Sequence, residues 1–160
     1  PRTVDLPSPA LVGDTLDLSF SGIKTATLNY INSATQKGED IHRANLAASY
    51  TERIVSAITK KVGMALEREN SKKLILAGGV AANSRLRVLM EEAMKEYPEV
   101  KLVIPPLSCC TDNAAMIASE GLVQFRLGNF AEMNLTAKAS IPLAATLETV
   151  QSKAKRCDNV

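Results

Sequence analysis

Apolar positions recur along the chain with two periods, and the elements follow from them. Over 15–20 they alternate loosely (Leu16, Leu18, Phe20), which predicts a short strand. Ser21 and Gly22 read as a turn or the beginning of a helix, and Ile23, Ala26, Thr27, Tyr30 and Ile31 share one helical face over 23–33. After a polar break at 37–40, the longest periodic segment covers 41–70. Its apolar positions (Leu46, Tyr50, Ile54, Ala57, Ile58, Met64, Ala65, Leu66) predict one long helix, or two separated near Gly63. Residues 74–77 are continuously apolar, as in a buried parallel strand, and Gly78 and Gly79 close them. Leu86, Leu89, Met90, Ala93 and Met94 mark a helix over 83–97, stopped before Pro98. A second buried strand is expected over 101–104, ended by Pro105 and Pro106, and a helix over 111–127, ended at Gly128.

Strand, helix, strand, helix from 74 to 127 is a βαβα unit, which implies an α/β fold with parallel strands and a right-handed crossover. The expected organisation is an extended arm or linker (1–14, with Pro1, Pro7 and Pro9), a strand plus helical insertion (15–72), the βαβα subdomain (73–143) and a basic tail that frays (144–160). Ligands bind such sheets in the loops beyond the carboxyl ends of the strands. Two loops qualify, 78–83 and 105–113.

Composition narrows the class. The chain has 160 residues, 46% hydrophobic, 22% charged and 4% aromatic, with no Trp and a net charge of +2. That length suits one domain, the apolar content excludes a disordered chain, and the scarcity of aromatics argues against a β-rich fold. No apolar run approaches the ~18 residues that span a bilayer and no signal peptide is visible, so no membrane association is expected. Of three Cys, two are neighbours (Cys109, Cys110), where a disulfide would close a strained ring. Two packed thiols in a reducing, cytoplasmic setting are expected. The chain opens at Pro1, without Met, in a proline-punctuated stretch, which reads as a seam inside a longer protein.

In the first loop, Gly78 and Gly79 would let a ligand approach the backbone, and the following helix offers free N–H groups to an anion. Asn83 has two readings, a contact to ribose, phosphate or acyl group, or a plain helix cap. The loop is neither G-x-G-x-x-G nor a P-loop. In the second loop Asp112 is a carboxylate suited to a metal ion or a metal-linked phosphate, or, with Thr111, to capping. The one His, His42, has no partner at a catalytic spacing and is assigned a plain role at the start of the long helix. No Ser–His–Asp or Cys–His pair assembles, so no residue is assigned as catalytic acid, base or nucleophile. Lys60, Lys61, Lys72, Lys73, Arg85 and Arg87 lie among Glu67, Glu69, Glu91 and Glu92, which predicts a solvated face rather than a nucleic-acid stripe.

Three segments in order, Ser19-Phe20-Ser21-Gly22-Ile23-Lys24-Thr25-Ala26, Leu76-Ala77-Gly78-Gly79-Val80-Ala81-Ala82-Asn83-Ser84-Arg85-Leu86-Arg87 and Cys110-Thr111-Asp112-Asn113-Ala114-Ala115-Met116-Ile117-Ala118, resemble the carboxyl-terminal half of the TsaD family, the tRNA adenosine threonylcarbamoyltransferases. The resemblance covers about residues 1–143. It implies half of an actin-like, sugar-kinase-like ATPase fold. It also implies transfer of the threonylcarbamoyl group from threonylcarbamoyl-adenylate to adenosine 37 of tRNAs that read codons starting with A. By the same resemblance Asn83 contacts the adenylate, Gly78 and Gly79 lie in an adenosine-binding turn, and Asp112 ligates one divalent metal ion, iron or zinc. In bacteria the implied partners are a paralogous subunit, an ATPase and the enzyme that makes the adenylate. The family's His-x-x-x-His metal motif is absent from these 160 residues, so the chain by itself is expected to be inactive. A non-catalytic scaffold relative is the alternative, disfavoured because both motif loops are kept. The peptidase of an older family name, glycoprotease, is disfavoured because no H-E-x-x-H occurs.

Overall fold

The computed structural model describes residues 4–137 and 139–140. It is an α/β arrangement with four α-helices and a two-stranded parallel sheet among the described residues: α1 (Phe20–Lys37), α2 (Arg43–Glu69), β1 (Lys73–Ile75), α3 (Ser84–Ala93), β2 (Lys101–Val103) and α4 (Ala114–Arg126). The described residues fall into two compact units, divided between Asn113 and Ala114. The tail expected to fray, 144–160, lies outside the described residues.

The helical face predicted for 23–33 extends to α1, whose Ile23 and Ala34 are buried. Gly38, at φ 70°, ends it, its N–H bonding the Thr35 carbonyl while the Glu39 N–H bonds that of Ala34. The helix predicted for 41–70 is the single α2, continuous through Gly63, so the break near that glycine does not occur. One glycine costs only about 1 kcal/mol in a helix, which packing on both sides of it outweighs. His42 has the plain role assigned to it: its Nδ1 accepts from the Asn45 N–H at the start of α2.

The strand expected over 15–20 is reduced to one antiparallel bridge, Ala10 with Leu18, and Ser21 and Gly22 are already helical. A buried cation takes the carbonyls that a strand ladder would need. Lys61, 6% exposed, donates from Nζ to the carbonyls of Leu11 (3.1 Å) and Thr15. Neighbouring groups on α2 hold the rest of this arm. The Val4 N–H donates to Ser49 Oγ, Arg53 pairs with Asp5 at 2.6 Å, and Arg68 pairs with Asp14 at 2.5 Å. Lys61 therefore departs from the solvated face predicted for it, whereas Lys60, Lys72 and Lys73 are exposed as expected.

β1 and β2 are parallel, with Leu74 opposite Leu102. Leu74 and Leu102 pack on a core of Val55 and Leu66 from α2, Leu86 and Met90 from α3, and Met94 and Val100 beyond it. Only one face of the sheet is covered in this way. Ile75 is 61% exposed, contrary to the expectation of strands buried on both sides. The helix predicted for 83–97 is α3 followed by a 3₁₀ turn, Met94–Glu96, and its predicted apolar face is the one that packs. A second cluster, Leu6, Ile23 and Leu46, joins the arm to α1 and α2.

α4 begins at Ala114, three residues later than predicted. Past the end of α4 the Gly128 N–H bonds the Phe125 carbonyl at φ 66°. The Phe125 and Phe130 rings meet edge-to-face at 5.8 Å.

Candidate ligand site at the strand ends

The chain leaves β1 and turns at Gly78, whose φ of 87° and ψ of 173° suit glycine alone. A 3₁₀ turn, Gly79–Ala82, follows, tied by the Ala81 N–H to the Gly78 carbonyl and the Asn83 N–H to the Val80 carbonyl, both at 3.0 Å. A Cβ added at Gly78 or Gly79 would meet no atom within 4 Å. Bare backbone thus faces open space at the carboxyl end of β1. Asn83 is exposed and begins α3: its Oδ1 accepts from the Leu86 N–H at 3.0 Å. The capping reading of Asn83 holds.

The second loop leaves β2 through Pro105 and Pro106 and makes its 3₁₀ turn at Leu107–Cys109. Both cysteines are free thiols, but only Cys110 is packed; Cys109 is exposed, which corrects the expected pair of buried thiols. Cys110 Sγ donates to the Pro106 carbonyl at 3.5 Å. Cys110 is buried because it turns inward to meet Arg87, and its neighbour then points outward.

Arg87 is the group that sequence reasoning missed. Its half-buried guanidinium donates from Nε to the Ala81 carbonyl (2.6 Å) and from Nη2 to the Pro105 carbonyl (2.8 Å) and Cys110 Sγ (3.0 Å). It bonds both strand-end loops at once. Arg85 is also half-buried, paired with Glu52 on α2, and that hydrogen bond holds its guanidinium above the ordinary arginine value. Neither is part of a solvated face. Helical side chains lean toward the helix amino terminus, so a long cation in the first turns of α3 reaches back over the loop before it. That offset from Asn83 was the available signal.

Asp112 is exposed at the far end of the second loop, where Asn113 Nδ2 donates to the Thr111 carbonyl at 2.9 Å. Among the described residues no three His, Cys, Asp or Glu side chains converge on one point. A catalytic ion ordinarily takes about three protein ligands, so the described residues do not fit a complete metal centre and Asp112 could supply only one ligand of it.

A family model described as TsaD: tRNA N6-adenosine threonylcarbamoyltransferase matches residues 2–119. The chain belongs to the TsaD family. A tRNA N6-adenosine threonylcarbamoyltransferase of Geobacillus kaustophilus is 46% identical over 140 residues, 88% of this chain and 41% of that protein. Proteins of the same name from Anoxybacillus flavithermus and Bacillus cereus are 46% and 43% identical over 88% and 89% of the chain, covering 41% and 42% of their lengths. This TsaD-family chain therefore spans about two-fifths of the length of the curated relatives it matches. The family match takes in both strand-end loops, including Gly78, Gly79, Asn83, Arg87 and Asp112. No helix among the described residues is long and apolar enough to cross a membrane.

Proposed function

We propose that this chain forms the carboxyl-terminal part of a tRNA-modifying transferase. In this reading its Gly78–Asn83 turn binds the adenosine and phosphate end of threonylcarbamoyl-adenylate. The observation that carries the reading is the open backbone shelf at Gly78 and Gly79, beyond the carboxyl end of a parallel strand and ahead of the helix that Asn83 caps. The fold is proposed to be half of an actin-like, sugar-kinase-like ATPase fold.

The adenylate is a mixed anhydride, already activated at its carbonyl. The exocyclic amine of adenosine 37 attacks that carbon, the new N–C bond forms, the C–O bond to phosphate breaks, AMP leaves with the electron pair, and the amine loses a proton. The main task left to the protein is orientation. Gly78 and Gly79 admit the nucleotide to the backbone, and the Asn83 amide offers a donor to its ribose, phosphate or acyl oxygens. Asp112 is proposed as one ligand of an iron or zinc ion whose other ligands lie beyond the described residues. The cytoplasm is the proposed location, and a paralogous subunit and an ATPase are the proposed partners in bacteria.

The test is transfer from threonylcarbamoyl-adenylate to unmodified tRNA by the intact protein, with Asn83→Ser as the variant. Retained folding with weakened adenylate binding is expected. Unchanged adenylate affinity in the variant would remove Asn83 from the site. The isolated 160 residues are expected to bind nucleotide without turnover, since they hold no His-x-x-x-His pair.

A further inference from the structure

We propose that Arg87 is a positioning residue for the ligand turn: one edge of its guanidinium sets the spacing between the loop after β1 and the loop after β2. The proposal rests on reading the Gly78–Asn83 turn as a nucleotide site.

Nε and Nη2 lie on one edge of the planar guanidinium, and that edge takes a carbonyl from each loop, Ala81 at 2.6 Å and Pro105 at 2.8 Å. Nη2 also reaches Cys110 Sγ at 3.0 Å. The residues on both sides are withdrawn from water, with Ala81 1% and Cys110 3% exposed, so losing the donor would strand acceptors where water does not readily replace it. Ala81 sits inside the 3₁₀ turn that starts at Gly79, two residues before Asn83. Fixing its carbonyl fixes the peptide plane that carries the turn, and with it the direction of the bare backbone shelf. A lysine keeps the charge, but its three donors turn about one nitrogen at the end of a flexible stem, so it sets the separation of two carbonyls less rigidly than the planar fork does. Arg87 does not itself face the ligand. It acts through the loop it holds.

The experiment uses the intact protein with ATP as the nucleotide probe. Binding is measured by calorimetry under conditions where each variant is folded, and thermal unfolding is followed alongside. Iodoacetamide labelling of Cys110 is read by peptide mass spectrometry, with the exposed Cys109 as an internal control. Arg87→Lys is expected to weaken ATP binding about tenfold and to speed Cys110 labelling about tenfold, the scale of losing one to two buried charge-assisted hydrogen bonds. An arginine with a structural role alone would lower the melting temperature and leave the affinity of folded molecules unchanged. ATP affinity within about twofold of wild type in folded Arg87→Lys therefore overturns the proposal. Cys110→Ala removes one of the three acceptors and is the second variant, with a loss of about threefold expected. If Arg87→Lys does not fold and Cys110→Ala binds ATP as wild type does, the proposal is overturned as well. Failure of the underlying reading looks different: the wild type then binds no ATP, and faster Cys110 labelling in Arg87→Lys reports a clamp that is structural only, which overturns positioning.

Discussion

Arg85 closes two hydrogen bonds onto Glu52, Nε to Oε2 at 2.7 Å and Nη2 to Oε1 at 3.0 Å, and so fastens the first turn of α3 to the middle of α2. The side chains are 35% and 15% exposed, which places the pair between a screened surface bridge and a buried one. A double-mutant cycle with Glu52→Gln and Arg85→Met, read by urea unfolding, should give a favourable coupling that shrinks in 1 M salt but does not vanish. Arg85→Lys should recover part of the coupling, since the fork geometry is lost. Zero coupling at low salt would show that the contact adds nothing to stability.

Gly63 admits Tyr97 against α2. A Cβ there would stand 3.1 Å from the Tyr97 hydroxyl, which donates to Glu67 at 2.8 Å. Gly63→Ala gains about 1 kcal/mol of helix propensity and pushes that hydroxyl outward, so its net effect should stay within about 1 kcal/mol of zero. Gly63→Val adds β-branching and a larger clash, and should destabilise clearly more in urea unfolding.

The same phenol gives a pH dependence. The hydrogen bond to Glu67, with lesser contributions from burial and nearby carboxylates, raises the Tyr97 pKa above its ordinary value. The protonated phenol is the form the folded state favours. Its contribution is therefore complete below the unfolded pKa of about 10 and is lost as pH rises through the higher folded value. The stability difference between wild type and Tyr97→Phe should be flat from about pH 7 to 9 and fall above about 10. A difference that grows with alkalinity would reverse the assignment.

Lys61 is a buried ammonium held by the backbone carbonyls of Leu11 and Thr15. Lys61→Met keeps much of the stem and removes the donors. It should cost about 1–2 kcal/mol in urea unfolding and speed proteolysis over 11–15. A variant as stable as wild type would mean that burying the charge cancels the hydrogen bonds.

Asn83 has two separable jobs. Asn83→Ala should lose about 1 kcal/mol through the helix cap, whereas Asn83→Ser should keep the cap and its stability. Both should lose nucleotide affinity if the amide touches ligand, which calorimetry with ATP would read. An Asn83→Ser variant that keeps both leaves the residue as a cap alone.

Most of the fold was legible because periodicity reports burial directly. Leu86, Met90 and Met94 recur at helical spacing and form the core, and the segments expected as strands, 74–77 and 101–104, overlap the two parallel strands, the first of which starts one residue earlier at Lys73. The turn at 78–83 was legible from its glycines, one of which has the positive φ that glycine tolerates. The strand at 15–20 misread because alternation does not say who takes the carbonyls, and here a lysine from α2 does. The cysteine pair misread because adjacency does not say which thiol turns inward.

The order of apolar and polar residues alone determined the α/β class, the helix faces and the strand-end loops, since each depends on local spacing; the family was pointed to by the resemblance of three short motifs. Tertiary structure alone decided what the cations do. Lys61, Arg68, Arg85 and Arg87 are alike in sequence, each a long charged side chain on a helical segment. Their partners, Thr15, Asp14, Glu52 and Pro105, lie far from them along the chain or across a loop. A long side chain's contact is set by where distant backbone passes, and only the folded packing brings that backbone within hydrogen-bond reach.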